Sequence, residues 1–309
     1  YMLPHPVVWA SIYPESQDDF GLLKQALERL NLQDAALSFE EEYSGSLGRG
    51  FRAGFLGMLH LEIITERLRR EFGLTLITTM PTISYEVLDK KSSQTEIAYS
   101  PQLFPKETKD KVIREPWIKV KIITPSSCLG AIIPLLHEHE AIITVTENFG
   151  GDRTSLDIEM PLRELMRNFF DELKSVTSGF ASLSYEIGEM RESDVVRLDV
   201  LLNGEVMPAF SRIVSRRRAE REAEDLADKL KELLPKQLIV IKIQVEGMGR
   251  IIAARSISAL RKDVTGYLYG GDITRKMKLL EKQKKGKKKM QKIGKVDVPH
   301  EVFLKMMKS

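Results

Sequence analysis

The sequence contains little cysteine, little histidine and no long apolar run. Its 309 residues include five His and a single cysteine, Cys128. One cysteine excludes a disulfide framework and a cysteine-rich zinc site. No stretch of 18 apolar residues occurs, so the sequence predicts no transmembrane helix. The composition is 42% hydrophobic and 29% charged, which is typical of a globular chain with a substantial core.

Motifs for nucleotide hydrolysis and for acid–base chemistry are also missing. No Gly-x-x-x-x-Gly-Lys-Ser/Thr phosphate loop occurs, and we interpret the glycine-rich residues 45–57, which contain no lysine, as a flexible structural loop. His137 and His139 flank Glu138, and we expect a solvated helix end there because residues two apart point to different helix faces. We expect His60 to be a hydrogen-bonded packing residue. The sequence therefore predicts no catalytic residue, no metal ligand and no cofactor site.

Charge is distributed unevenly along the chain. From Arg250 to Ser309 there are 17 Lys+Arg and 5 Asp+Glu, whereas the other residues hold 30 and 39. An acidic body with a strongly basic tail indicates a polyanionic partner for the tail, either nucleic acid or an anionic membrane surface.

Hydrophobic periodicity predicts a βαββαβ order in residues 1–88 and again in residues 110–187. Each repeat would cover one face of a sheet with two helices, the ferredoxin-like arrangement of an α+β fold. The apolar stripes expected on the first helices of the two repeats are Phe20, Leu23, Leu27 and Leu30, and then Leu129, Ile132, Ile133 and Leu136.

The remaining helices and connections are predicted from local signals. Pro134 should kink or shorten its helix, and Pro161 should open another helix at its first position. The buried stripe expected on that helix is Leu162, Leu165, Met166, Phe169, Phe170 and Leu173. Residues 89–109 are rich in proline and charge and are interpreted as a linker.

Residues 188–309 are predicted to form a third, α+β unit. Asn203-Gly204 predicts a hairpin turn, residues 215–234 a charged helix, and residues 238–245 a strand with alternating isoleucines. Asp272 is expected to cap a final basic helix.

The basic tail is the strongest functional signal in the residues themselves. Ten Lys+Arg and one acid, Glu281, lie between Arg275 and Lys292, next to two tyrosines. Cations beside aromatic rings favour an RNA surface, since phosphates pair with the cations and bases stack on the rings. The predicted RNA-binding residues are Arg261, Lys262, Tyr267, Tyr269, Arg275, Lys276, Lys278, Lys282, Lys284, Lys285, Lys287, Lys288 and Lys289.

A second basic cluster has two interpretations. Arg216, Arg217 and Arg218, with Arg212 and Arg221, could extend the RNA surface. Alternatively, the acidic residues of the same helix pair with these arginines.

Several segments resemble ribosomal translation factors. Residues 54–64 (GFLGMLHLEII) resemble the third-domain helix of elongation factor G, and residues 161–165 (PLREL) and 175–180 (SVTSGF) resemble its fifth-domain signature. Residues 259–264 and 269–276 resemble the C-terminal domain of the LepA family, also called elongation factor 4. The likeness covers essentially the whole chain.

The resemblance implies domain III in residues 1–88, a linker in 89–109, domain V in 110–187 and a LepA-specific domain in 188–309. It implies a ribosome-dependent GTPase whose GTP and Mg²⁺ belong to a GTPase domain not contained in this chain. The implied partners are the ribosome near its A site, with its RNA and proteins, and tRNA. The implied activity is one-codon back-translocation by a cytoplasmic monomer that is also described at the cytoplasmic face of the membrane.

Two other classes of function remain as alternatives. The chain could be a membrane-surface or scaffold protein that uses its basic tail, or a small-molecule sensor built on paired βαββαβ domains. Ribosome sedimentation separates the translation factor from both alternatives, and liposome flotation identifies the first of them.

We predict that this chain alone hydrolyses no GTP, because it lacks a phosphate loop and an Asn-Lys-x-Asp guanine-specificity motif. The measurement is phosphate release from GTP with and without ribosomes. Turnover above a protein-free control would contradict the prediction.

Overall fold

The computed structural model describes residues 6–44, 47–79, 81–260, 277–279, 281–283 and 296–307. The described residues form three antiparallel sheets with intervening helices, which confirms the predicted α+β fold class. The chain divides into two compact units between Val195 and Val196. The first unit contains two sheets and the second contains one.

The first sheet has the predicted βαββαβ order. Its elements are β1 (Val8–Pro14), α1 (Phe20–Gln33), β2 (Ser38–Ser44), β3 (Gly48–Phe55), α2 (Met58–Phe72), β4 (Leu76–Thr78) and β5 (Thr82–Ile83). The strands lie in the order β2-β3-β1-β4, and β5 pairs with the other end of β1. This is the ferredoxin-like topology, because the first and third strands of the repeat are central and antiparallel.

The core of the first sheet is built from the predicted stripe of α1. Phe20, Leu23, Leu27 and Leu30 are all buried. Phe20 stacks on Phe51 of β3 with ring centroids 5.0 Å apart. Helix α2 ends at Gly73, whose φ of 66° is the left-handed conformation that favours glycine as a helix C-cap.

The glycine-rich segment was expected to be a flexible loop, but its residues Gly48–Phe55 form strand β3. A Cβ atom at Gly50 would lie 2.3 Å from Cδ1 of Tyr13 and 2.6 Å from the carbonyl oxygen of Ile12. Glycine is required there because the Tyr13 ring from the neighbouring strand covers the backbone. Local sequence cannot show this, since the ring that occupies the space comes from a distant position.

The second sheet is larger than the predicted repeat. Its elements are β6 (Tyr85–Asp89), β7 (Thr95–Ala98), β8 (Lys111–Pro125), α3 (Leu129–Glu138), β9 (Ile142–Phe149), β10 (Arg153–Pro161), α4 (Leu162–Glu164), α5 (Phe170–Val176) and β11 (Ser182–Glu192). The order is β7-β6-β8-β10-β9, and β11 also pairs with β8. Strands β9, β10, β8 and β11 reproduce the ferredoxin-like order, and the hairpin β6–β7 extends it.

The prediction of a linker over residues 89–109 is therefore wrong in part. Strand β7 lies inside this segment and pairs with β6. The turn between them is closed by Asp89, whose Oδ1 accepts the backbone N–H groups of Lys91 at 2.8 Å and Ser92 at 3.1 Å. Phe104 is buried, with its ring 5.4 Å from that of Tyr85. The prolines and charged residues in this segment do not indicate a strand. The hairpin forms because its strand β6 also pairs with β8, farther along the chain.

Strands β5 and β6 join the two sheets with one residue, Ser84, between them. The indole of Trp9 in β1 donates from Nε1 to Ser84 Oγ at 2.8 Å and stacks on Tyr99 with ring centroids 4.5 Å apart. Arg52 of β3 donates to the Tyr99 carbonyl oxygen at 3.4 Å. The residues after β7 thus pack on the face of the first sheet that carries no helix.

Helix α3 contains Pro134 and continues through it to Glu138. Ile132 and Leu136 are buried as predicted, but Ile133 is exposed and Leu135 is buried in its place. The predicted stripe was wrong at Ile133 because both faces of this short helix carry aliphatic residues.

The helix predicted to begin at Pro161 is interrupted. Arg167 and Asn168 have non-helical backbone angles, with φ of 73° at Asn168, and they separate α4 from α5. Pro161 precedes the first turn rather than forming part of it. Phe169 is fully buried as predicted, whereas Phe170 is 41% exposed.

The third sheet belongs to the second compact unit. Its elements are β12 (Val195–Leu202), β13 (Glu205–Val206), β14 (Arg212–Ser215), α6 (Ala219–Leu233), β15 (Ile241–Gly247), β16 (Arg250–Ile257) and α7 (His300–Met307). The order is β13-β12-β15-β16, with β14 also paired with β12. Helix α6 packs on β15 and β16.

Two local sequence signals in this unit are confirmed. Asn203 and Gly204 have φ values of 53° and 86°, as a type I′ hairpin turn requires. The alternating residues Ile239, Ile241, Ile243 and Val245 are all buried. Helix α7 closes the core, where Phe303 stacks on Phe210 with centroids 4.9 Å apart.

We predict that Phe169→Ala destabilises the chain by about 3–5 kcal/mol, because a fully buried aromatic ring leaves a cavity. The neighbouring Phe170→Ala is the control and should cost less than about 1 kcal/mol, since its ring is partly exposed and contacts Lys174. Urea unfolding measures both values, and equal losses would contradict the assignment of the buried face.

Candidate nucleic-acid interface

The basic tail is the predicted interface, and the structure describes two of its residues. Lys278 and Lys282 are exposed and lie in the helical residues 277–279 and 281–283. The other predicted residues lie outside the described part of the chain: Arg261, Lys262, Tyr267, Tyr269, Arg275, Lys276, Lys284, Lys285, Lys287, Lys288 and Lys289. The expected cap at Asp272 lies there too.

The second basic cluster is largely paired along its own helix. Arg218 Nη2 lies 3.1 Å from Glu222 Oε1, and Arg221 Nε lies 3.9 Å from Asp225 Oδ2. The pairing interpretation is therefore the better one for these arginines. Arg216 and Arg217 remain exposed at the turn before α6.

The most concentrated set of charged groups is buried in the second sheet, where the sequence predicted none. Arg163 of α4 lies 2.9 Å through Nε from Glu115 Oε2 of β8. Its two Nη atoms pair with Glu140, beyond α3, and with Glu164. One guanidinium thus joins three segments that are far apart in sequence.

His139 is part of the same network, and the prediction of a solvated helix end is wrong for it. Its ring is fully buried. Nδ1 lies 3.2 Å from Glu164 Oε2, and Nε2 lies 3.0 Å from Glu172 Oε2. The backbone turn at Arg167 brings that side chain to Glu164 as well, with Nε 2.8 Å from Oε2.

The network shifts the pKa values of its members. Burial would raise the pKa of Glu164, but the His139 hydrogen bond and the charges of Arg163 and Arg167 lower it from 4.5 to about 2. Burial raises the pKa of Glu115 despite the nearby charge of Arg163. Glu115, Arg163 and Glu164 are enclosed by the fold, so we expect the network to have a structural role.

The family-like segments of the sequence therefore have structural roles in the described part of the chain. The PLREL segment supplies Arg163 and Glu164 to the buried network. In the other segment, His60 Nδ1 accepts the Leu56 N–H at 3.0 Å and Nε2 contacts Asp34 Oδ2 at 3.0 Å. The expectation of a hydrogen-bonded packing histidine is confirmed. The arginine and glutamate of PLREL were the signal that could have revealed the network.

The described ranges contain no group of three or more His, Cys, Asp or Glu side chains placed to hold a metal ion. Within the same ranges, no helix has both the length and the apolar character needed to span a membrane.

Comparisons with known proteins match three consecutive segments of the chain to family models. Residues 3–80 match the model of elongation factor G domain III, residues 112–201 that of the elongation factor G C-terminus, and residues 202–308 that of the GTP-binding protein LepA C-terminus. Proteins called Elongation factor 4 from Clostridium botulinum strains Hall, Langeland and Okra are each 46% identical over 304 residues. The matches cover 98% of this chain and 50% of each relative.

Two ferredoxin-like folds matched by elongation factor G, in this order, define the class as the ribosomal translation factors. The C-terminal unit identifies the family within that class, because residues 202–308 match the LepA C-terminus. The chain belongs to the LepA family, also called elongation factor 4, and it spans about half the length of the curated relatives it matches.

We predict that Glu164→Gln destabilises the chain at neutral pH by about 3–5 kcal/mol, because it removes a buried carboxylate charge that pairs with both Arg163 and Arg167. The folded pKa of Glu164 lies below its ordinary value, so this stabilisation is present above about pH 4.5 and disappears as pH falls towards about 2. The difference between wild type and variant in urea unfolding should shrink over that range.

The control for this prediction is Asp228→Asn, which removes an exposed ion pair with Arg255. Exposed pairs contribute about 0–1 kcal/mol, so this variant should differ little from wild type at any pH. A Glu164→Gln loss as small as that of the control would show that the network does not stabilise the fold.

Proposed function

We propose that this chain is the ribosome- and tRNA-binding part of a LepA-type factor that promotes one-codon back-translocation. The observation that carries the proposal is the match of residues 202–308 to the LepA C-terminus, because this segment includes the strongly basic tail. RNA binding depends on cations that neutralise phosphates, and the exposed Lys278 and Lys282 fit that role.

In this proposal the described sheets are a scaffold, and the reaction energy comes from elsewhere. The glycine-rich segment does not fit GTP, because Tyr13 covers Gly50 and leaves no room for a phosphate beside that backbone. We therefore assign GTP and Mg²⁺ to the GTPase domain of the full-length family. The chain would act as a monomer, in the cytoplasm and on the ribosome.

A membrane-surface role is the competing function. It would use the same basic residues, which attract anionic lipids as they attract RNA. Ribosome sedimentation and liposome flotation with the same protein distinguish the two, since only the first should retain the chain if the proposal is right.

We predict that replacing Arg275, Lys276 and Lys278 together with alanine makes the dependence of log affinity on log salt shallower by about two units. Each phosphate contact contributes about 0.7–0.9 to that slope. The measurement is binding to tRNA and to ribosomes across a salt series, with liposomes of anionic lipid in parallel.

The matched control removes the same charge from exposed lysines elsewhere, Lys90, Lys109 and Lys236. It should leave the slope almost unchanged. If the tail variant keeps its RNA affinity and loses only liposome binding, the membrane role is the correct one.

A further inference from the structure

The hairpin turn between β12 and β13 consists of a chemically reactive residue pair, Asn203 and Gly204. Both residues are exposed, and their φ values are 53° and 86°. Asparagine is a thermolabile residue, and a glycine after it leaves the intervening backbone nitrogen open to the asparagine side chain, because glycine has no Cβ. The other asparagines of the chain, which all precede leucine or phenylalanine, are Asn31, Asn148 and Asn168.

Asn203 also anchors this turn to the neighbouring strand β15. Its Oδ1 accepts the backbone N–H of Lys242 at 2.7 Å, and its own backbone N–H donates to the Lys242 carbonyl oxygen at 2.9 Å. These two bonds hold the side-chain amide against β15. Strand β13 has only two residues, and both pair with β12, so opening the turn does not require the sheet to unfold.

We propose that Asn203 is the site at which this chain deamidates, and that its contact with Lys242 restrains the reaction. The Gly204 backbone nitrogen loses its proton to water and bonds to Cγ of Asn203. The Cγ–Nδ2 bond breaks as Nδ2 takes a proton from water, so that ammonia leaves and a cyclic imide remains. Water then opens the imide: cleavage at Cγ yields aspartate, and cleavage at the main-chain carbonyl carbon yields isoaspartate. Water is the only co-reactant.

The reaction changes the anchor as well as the charge. Both products carry a carboxylate where the amide was neutral. In isoaspartate the main chain runs through Cβ and Cγ, so it is one atom longer between residues 203 and 204. The backbone N–H and the side-chain oxygen of residue 203 then no longer fit Lys242 together, and the C-terminal unit loses stability.

The test incubates the full 309-residue chain at mildly alkaline pH and follows ammonia release and the isoaspartate content of each proteolytic peptide. Isoaspartate should appear in the peptide that contains Asn203 before any other. Urea sufficient to unfold the chain should accelerate modification of Asn203 by at least about tenfold, because the reactive opened form is a minor one in the folded chain.

Two variants assign the reaction to this residue. Asn203→Asp keeps an acceptor for Lys242 but has no amide to lose, so ammonia release should fall to background. Asn168→Asp is the matched control, because Asn168 is also exposed and has a left-handed φ of 73°, but Phe169 follows it. This control should release ammonia as the wild type does. Equal modification of Asn168 and Asn203 in the wild type overturns the proposal, and so does a folded chain that reacts as fast as the unfolded one.

Thermal unfolding reports the effect on the anchor. After the same incubation the Tm of the wild type should fall, whereas that of Asn203→Asp should stay where it was before incubation. A wild type that is modified at Asn203 and keeps its Tm contradicts the proposed anchoring by Lys242. None of these measurements involves RNA or ribosomes, so their outcome is independent of the proposed function.

Discussion

The buried guanidinium of Arg163 is the interaction on which the second sheet depends most. It brings together carboxylates from β8, from the turn beyond α3 and from α4. Removing an arginine and its partners from water is costly, and the cost is offset only when the charges meet directly and hydrogen-bond. The break between α4 and α5 belongs to the same arrangement, because it brings Arg167 to Glu164 and places Phe169 in the core.

The two sheets of the first unit share their connection. Strands β5 and β6 are separated by one residue, yet they pair in different sheets. Trp9 and Arg52 of the first sheet both contact Tyr99, which follows the hairpin of the second. Such contacts replace a flexible linker with packed surface, which explains why the segment between the folds contains a strand despite its polar composition.

Charge has two different uses in this chain. In the first unit the Arg163 network turns several charges inward, while ion pairs such as Lys91–Asp110 stay exposed. In the C-terminal unit the cations exceed the acids, chiefly in the tail.

The sequence by itself determined the elements whose signals are local. The period of α1, the alternation around β15 and the turn at Asn203-Gly204 each reflect how neighbouring residues share a face or a backbone conformation. The excess of positive charge in the tail is likewise a property of composition, and the interface was predicted from it.

Only the tertiary structure decided the burial of charge and the pairing of distant segments. Glu115 and Arg163 are 48 positions apart, and nothing near either residue shows that they meet. His139 looked solvated because its neighbours are polar, and the residues that enclose it come from elsewhere in the chain. A local pattern reports the conformation that nearby residues favour, whereas desolvation and ion pairing depend on contacts that form only when the whole fold is assembled.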